Sequence, residues 1–345
     1  MLPAPRRILI IMLRRIGDVL LTTPAARALR RLYPTAVIDF LAEPPAHELL
    51  AGNPDISNVL VYRKGALNYL RWLRRVRAAG YDWVIDYMGN PRTAALTFCS
   101  GAALRAGPGH VAHRWAYSRR LQESATPYYS AQEKIRVLAG LGITPDEGDC
   151  LPRLAADAES EKFADDEIAK LRLKGAPLIG LVPASRRKTR RWPAASYAEL
   201  GRRLRDGEGA RLMVFWGPGE YELARSVREE IGAGAVCAPA TPRLRQLAAL
   251  ISRCTILVTN CNGPKHIAVA RGVPTLTIHG SSDPRCWNPQ DQARHPVVRR
   301  DELGCIGCLR NSCPTRIECL NELPAERVYA AARKLLRTAG VSHER

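Results

Sequence analysis

The chain has 345 residues, 46% of them hydrophobic and 25% charged, a globular balance that excludes a disordered or fibrous protein and favours two domains over one. A formal charge of +19 is unusual, and before residue 145 there are about two basic residues for each acidic one. Such a surface attracts nucleic acid, phospholipid headgroups or a phosphorylated substrate, unless it is merely solvated.

Residues 8–13 form an apolar run behind Arg6 and Arg7, but Arg14 and Arg15 end it before it reaches signal-peptide length. No stretch approaches the ~20 apolar residues of a membrane span. The chain therefore reads as cytoplasmic, with its ten cysteines present as thiols or metal ligands. Residues 8–13 have the character of a buried parallel strand. After a loop ending in Gly17, Asp18 stands where an N-cap belongs, before an amphipathic stretch over 19–33. Further strands are expected at 37–41, 59–62 and 83–86, separated by helical patterns. Residues 145–176 read as a helix plus linker. Strands then recur at 178–182, 212–216, 256–259 and 275–278, with helices at 194–205, 221–231, 244–253, 264–271 and 325–338. This alternation predicts an α/β fold with parallel sheets.

Ligands of open α/β sheets collect beyond the carboxyl ends of the strands, and three segments fall there. Gly17 lets backbone approach a ligand, and the Asp18 carboxylate can take a proton from a hydroxyl nucleophile; the plainer role for Asp18 is a helix cap. Ser185 stands among Arg186, Arg187, Lys188, Arg190 and Arg191, a phosphate clamp or a solvated basic loop. The run Thr259-Asn260-Cys261-Asn262-Gly263-Pro264-Lys265-His266 carries a strand into a helix N-terminus, where free N–H groups and the helix dipole suit a diphosphate. Lys265 and His266 would reinforce it, although a lone histidine there is as often packed. Glu220, beyond the 212–216 strand, suits ribose hydroxyls or serves as an N-terminal helix charge.

Together, Ile8 to Pro24, Arg190-Arg191-Trp192-Pro193, Gly217 to Glu220 and the series from Asn260 through Gly272-Val273-Pro274 to Asp283-Pro284 and Trp287-Asn288-Pro289 resemble glycosyltransferase family 9, the lipopolysaccharide heptosyltransferases and their relatives. The resemblance implies a GT-B fold of two Rossmann-like parallel-sheet domains facing across a cleft. An acceptor domain would span 1–165 and a nucleotide-sugar domain 175–322, with a last helix in 323–345 crossing back to the first. It also implies inverting, metal-independent transfer, with no catalytic cofactor, from ADP-heptose to a lipopolysaccharide core, and Asp18 as base. Ser185, Arg190, Glu220, Asn262, Gly263, Pro264, Lys265 and His266 would meet the donor. Arg14, Arg15, Gly17, Asn90 and Arg92 would meet an anionic, lipid-linked acceptor at the inner face of the cytoplasmic membrane. The chain departs from the family pattern in three places: Arg190 replaces a lysine, Cys261-Asn262 stands where Asp-Thr or Asp-Ser is frequent and so loses a carboxylate, and Lys265 replaces a frequent methionine.

Cys305, Cys308, Cys313 and Cys319 place four thiols within fifteen residues, a set suited to structural zinc or to unligated loop cysteines. Charge and thiols also suit a nucleic-acid-binding protein, which 6% aromatic content disfavours. A GT-B sugar-nucleotide epimerase or a non-catalytic relative is the other alternative.

Overall fold

The computed structural model describes residues 4–341, and the chain divides between Ala155 and Ala156 into two compact units. In the first unit the order is β1 (Arg7–Ile11), α1 (Ile16–Leu20), α2 (Thr23–Leu32), β2 (Val37–Ala42), β3 (Asn58–Val61), α3 (Ala66–Ala78), β4 (Trp83–Asp86), α4 (Pro91–Cys99), β5 (Leu104–Pro108), β6 (Arg119–Leu121) and α5 (Ser130–Arg136). All its pairings are parallel, in the order β3-β2-β1-β4-β5-β6. Residues Ile8 to Ile11 of β1 are fully buried, because helices cover both faces of the sheet; this is why that strand is apolar without alternation.

The second unit contains α6 (Ala158–Lys170), β7 (Leu178–Val182), α7 (Ala194–Glu208), β8 (Arg211–Val214), α8 (Tyr221–Ile231), β9 (Ala235–Cys237), α9 (Leu244–Ile251), β10 (Ile256–Asn260), α10 (Gly263–Ala270), β11 (Thr275–Ile278), α11 (Pro284–Trp287), β12 (Val297–Val298), α12 (Glu318–Asn321) and α13 (Ala325–Val341). Its sheet, again parallel throughout, runs β12-β11-β10-β7-β8-β9. That is the topology of the first unit repeated. In both sheets the order reverses once, between β1 and β4 and between β7 and β10, and the ligand crevice of a doubly wound sheet opens at that reversal.

Three features differ from the sequence reading. The single helix expected over 19–33 is two, because Pro24 has no N–H to offer the Leu20 carbonyl. The Thr22 hydroxyl donates to the Asp18 carbonyl at 2.8 Å and the Thr23 hydroxyl to that of Leu20 at 2.8 Å, so side chains replace the missing turn. The unit boundary falls before α6, between Ala155 and Ala156, rather than within 165–175. Arg253 reaches Glu161 at 2.6 Å and Asp165 at 2.7 Å, and Arg271 reaches Glu161 at 2.6 Å, tying that helix to the second unit. The last helix contributes Val328, Ala332, Leu335 and Leu336 to the second unit's core; residues 342–345 lie outside the described residues. No helix among the described residues is long and apolar enough to cross a membrane.

Candidate active site

At the first unit's reversal, β1 delivers the chain into α1, whose first turn holds Asp18. Asp18 is not a cap: Arg15 is the N-cap, and no side chain caps that end. The aspartate is half-buried, and its carboxylate has no hydrogen-bond or ion-pair partner among the described residues. Across the reversal, Asp86 at the end of β4 is fully buried and shapes the following turn. It accepts from the Met88 N–H at 2.9 Å, the Gly89 N–H at 3.1 Å and the Tyr117 hydroxyl at 2.8 Å. Burial raises its pKa, against the opposing effect of those donors. Gly89 has φ +65°, and a Cβ there would lie 2.8 Å from Pro108, so the turn requires glycine.

Asn90 caps α4, accepting from the Thr93 N–H at 2.8 Å in a reciprocal capping box. Its first role is therefore structural. Arg92 leans toward Glu43 at 3.5 Å and over the Tyr62 ring at 5.8 Å. Arg14 and Arg15 are exposed and, among the described residues, unpaired; Gly17 is half-buried beside them.

Lys134 of α5 was not legible in the sequence, since it lies on a short helix far along the chain. Tyr87, the residue after β4, donates its hydroxyl to the Lys134 carbonyl at 2.9 Å and offers its ring to the ammonium at 5.7 Å. Burial lowers the Lys134 pKa, and Asp18 is the foremost charge opposing that shift. A cation thus stands within electrostatic reach of the free carboxylate.

The second unit's reversal is built around asparagines. Asn260, fully buried at the end of β10, accepts from the Trp192 N–H at 3.0 Å and donates to the Pro183 carbonyl at 2.9 Å. Trp192 is fully buried and donates its indole N–H to the Leu323 carbonyl at 3.1 Å. The basic loop before it is therefore pinned at its end. Arg191 is committed to the Ser185 carbonyl at 3.1 and 2.6 Å, whereas Arg190 is half-buried with a buried Nε that has no partner. Ser185 itself is buried.

Asn262 caps α10 by accepting from the Lys265 N–H at 3.2 Å, and donates to the Ala184 carbonyl at 3.0 Å. Pro264 contributes no N–H, and the Gly263 amide has no hydrogen-bond partner at this helix end among the described residues. Glu220 closes its turn by accepting from the Gly217 N–H at 3.0 Å through one oxygen.

Lys265 is placed otherwise than the sequence suggests. It is fully buried, and its ammonium donates to the Trp287 carbonyl and, at 3.3 Å, to the Asn288 side-chain oxygen. It anchors the 287–288 turn and is turned away from the helix end. Burial pulls its pKa down to about 8, partly opposed by Cys261. His266 is also buried, 6.5 Å from the Trp287 ring, with an unpartnered Nδ1. Burial first, then Lys265 and His279, push its pKa well down, so the imidazole is neutral and contributes no charge.

A lysine whose folded pKa lies below the unfolded value binds its proton more weakly when folded, so stability rises with pH between about 8 and about 10.5. Lys265→Met removes this term. The stability of wild type relative to the variant should therefore grow by about 3 kcal/mol from pH 8 to 10.5, measured by urea unfolding across that range. A constant difference rules the buried ammonium out.

The cysteine loop docks on this crevice. The Gly307 N–H donates to the Gly280 carbonyl at 3.2 Å, the Leu309 N–H to that of Ser281 at 2.6 Å, and the Thr189 hydroxyl to that of Arg310 at 2.9 Å. Cys319 is raised to about 11, by burial first and then by Cys313, Cys305 and Cys308, so the thiols are near one another. Tetrahedral zinc needs four sulfurs at about 2.3 Å from the ion. Among the described residues no three His, Cys, Asp or Glu side chains stand close enough to share a metal, and Cys313 accepts instead from the Ile317 N–H at 3.3 Å. As placed, the four thiols do not fit the structural zinc expected from their spacing.

Two parallel sheets of one topology, each with its crevice at the strand reversal, are the pair of Rossmann-like units of a GT-B fold. A glycosyltransferase family 9 structure from Veillonella parvula DSM 2008 matches with a TM-score of 0.85 at 26% identity, over 98% of this chain and 99% of that one. Escherichia coli heptosyltransferase WaaC with ADP-2-deoxy-2-fluoro heptose shares the fold, with a TM-score of 0.70 at 20% identity over 95% and 99% of the two chains. In sequence, lipopolysaccharide heptosyltransferase 3 of Escherichia coli (strain K12) is 28% identical across 94% of this chain and 96% of that protein. The chain belongs to glycosyltransferase family 9 (heptosyltransferase), whose sequence profile matches residues 69–317.

Proposed function

We propose that the protein transfers heptose from ADP-heptose to a hydroxyl of a lipid-linked, anionic lipopolysaccharide core, with inversion and without a catalytic metal. The observation that carries this is the unpartnered Asp18 carboxylate at the β1/β4 reversal, in a chain whose other reversal offers an amide and an arginine to an anion. Support for the donor comes from WaaC, solved with an ADP-heptose analogue, and from a relative named for heptosyl transfer.

Asp18 takes the proton of the acceptor hydroxyl as that oxygen attacks the anomeric carbon from the side opposite the diphosphate. The bond between the anomeric carbon and the diphosphate oxygen breaks, and ADP leaves with its electron pair. The Gly263 N–H, the α10 dipole and Arg190 meet the developing charge. Ser185, Asn262 and Pro264 shape that pocket, and the second carboxylate oxygen of Glu220 accepts from ribose. Lys265 and His266 support the pocket from behind, one as an anchor and one as a neutral packed ring. With cations and amides in place, the leaving group needs no divalent ion. Arg14, Arg15 and Lys134 hold anionic groups of the acceptor near Asp18, with Gly17 giving it room; Arg92 lies farther out and Asn90 frames the turn.

The test incubates the protein with ADP-heptose and heptose-free core lipopolysaccharide, with and without EDTA. The expected result is ADP release matched by one heptose added per acceptor, undiminished by EDTA. ADP release without a heavier acceptor marks a hydrolase, and conversion of the donor sugar marks an epimerase; either replaces this reading.

A further inference from the structure

The first unit carries an outer surface that neither crevice uses. We infer that the outer face of the α3–α4 layer, with the short segment Arg114–Ala116, is a docking surface for an anionic lipid bilayer. This deepens the proposed action on a lipid-linked acceptor by stating which face meets the membrane.

Three observations carry it. The first is apolar exposure where a folded protein gains nothing from it. Leu67 is 74% exposed, Leu70 53%, Phe98 49% and Trp115 64%, and these are four of the eight large exposed hydrophobics among the described residues. Leu67 and Leu70 stand three apart on α3, hence on one side of it, while Trp72 and Val76 of the same helix face the core. Phe98 and Trp115 support each other edge to face at 5.2 Å. Single exposed apolar residues are ordinary, but their concentration on one layer marks an interaction surface.

The second observation is charge. Residues 63–121 hold 11 Lys and Arg against 2 Asp and Glu. Of those two, Asp86 is fully buried, and Asp82 spends a carboxylate oxygen on the Arg6 and Arg7 N–H groups at 2.7 and 2.8 Å. Glu43 partly offsets Lys64 and Arg92, each at 3.5 Å. The arginines of α3, including Arg71 and Arg74, have no carboxylate partner among the described residues.

The third is the mixture itself. Arginines beside protruding leucines and a tryptophan are the composition of a helix that lies in a headgroup layer, with rings and aliphatic ends among the acyl chains and cations at the phosphates. A nucleic acid would use the arginines and the rings, but it gives Leu67 and Leu70 nothing to pack on. The α3–α4 layer is held together from within. Tyr69 of α3 donates its hydroxyl to the Arg92 carbonyl at 3.3 Å, and Tyr62 packs on Trp72 at 6.2 Å. The surface is therefore a rigid one.

The test is vesicle flotation of the full chain, with no nucleotide sugar and no acceptor, on phosphatidylglycerol-containing and pure phosphatidylcholine vesicles. Wild type should float with the former and not the latter. The double substitution Leu67→Ser with Trp115→Ser should weaken flotation by about tenfold or more while leaving thermal stabilisation by ADP unchanged. Brominated lipid should quench wild type more than Trp115→Phe, which reports insertion of that ring independently of how the double variant folds. Flotation of the double variant equal to wild type, or quenching that does not depend on Trp115, overturns the inference. So does single-stranded RNA binding that the same substitutions weaken while wild type ignores the vesicles. Because donor and acceptor are absent, such failures leave the transferase reading standing; failed heptosyl transfer with intact flotation does the reverse.

Discussion

Asp18→Asn should abolish heptosyl transfer and leave ADP binding close to wild type. The carboxylate makes no hydrogen bond or ion pair among the described residues, so its removal breaks no direct contact and takes away only the charge that offsets the Lys134 ammonium. The backbone work at this position is done by the Asp18 carbonyl, which accepts from Thr22 at 2.8 Å and survives the substitution. An amide cannot take the hydroxyl proton, and general-base catalysis is worth about 10²–10⁴ in rate. A turnover loss of at least about 10² with a cooperatively folded variant and an unchanged ADP affinity is the expected result, read by steady-state assay and calorimetry. Variant activity within about threefold of wild type removes Asp18 from the base role.

Trp192→Ala should produce the largest loss of stability. The ring is fully buried and packs on Tyr197 at 4.9 Å, and its N–H satisfies the Leu323 carbonyl at 3.1 Å. Truncation leaves a cavity and an unpaired carbonyl, about 3–5 kcal/mol for an aromatic in a packed core. The Trp192 backbone N–H, which donates to the Asn260 side chain at 3.0 Å, survives the substitution, so the loop carrying Arg190 keeps that tie and loses only the packing of the ring. Urea unfolding that shows less than about 1 kcal/mol of change contradicts this placement of the ring. Trp192→Phe keeps most of the volume and loses only the indole hydrogen bond, so it should fall between the two.

The central strands were readable because they are buried on both faces: residues 8–11 and 178–182 are apolar runs that could hardly be anything else. The edges were not. β6 is Arg-Arg-Leu with two exposed residues, and β12 has two residues in all; such strands exist because a neighbour supplies their hydrogen bonds, which composition does not report. The crevice segments around Asp18, Ser185 and Asn262 were legible because strand, turn and helix N-terminus succeed one another within a few residues. Lys134 was hidden because its place within electrostatic reach of Asp18 depends on how α5 returns to the sheet. Lys265 was misplaced for a related reason. Spacing puts it in the first turn of α10, but only the packed structure shows its side chain running inward to the Trp287 carbonyl. The cysteine spacing likewise announces four thiols without fixing where their sulfurs point.

The proposed chemistry is a single displacement in which a deprotonated acceptor oxygen replaces ADP on the sugar. The most direct measurement is the configuration of the new glycosidic bond, read from the anomeric one-bond carbon–proton coupling of the purified product against that of the donor. A single displacement gives the opposite configuration to the donor's, with every turnover releasing one ADP. A product that keeps the donor's configuration would mean two displacements or a front-face route, and a lone base at Asp18 could not then be the mechanism.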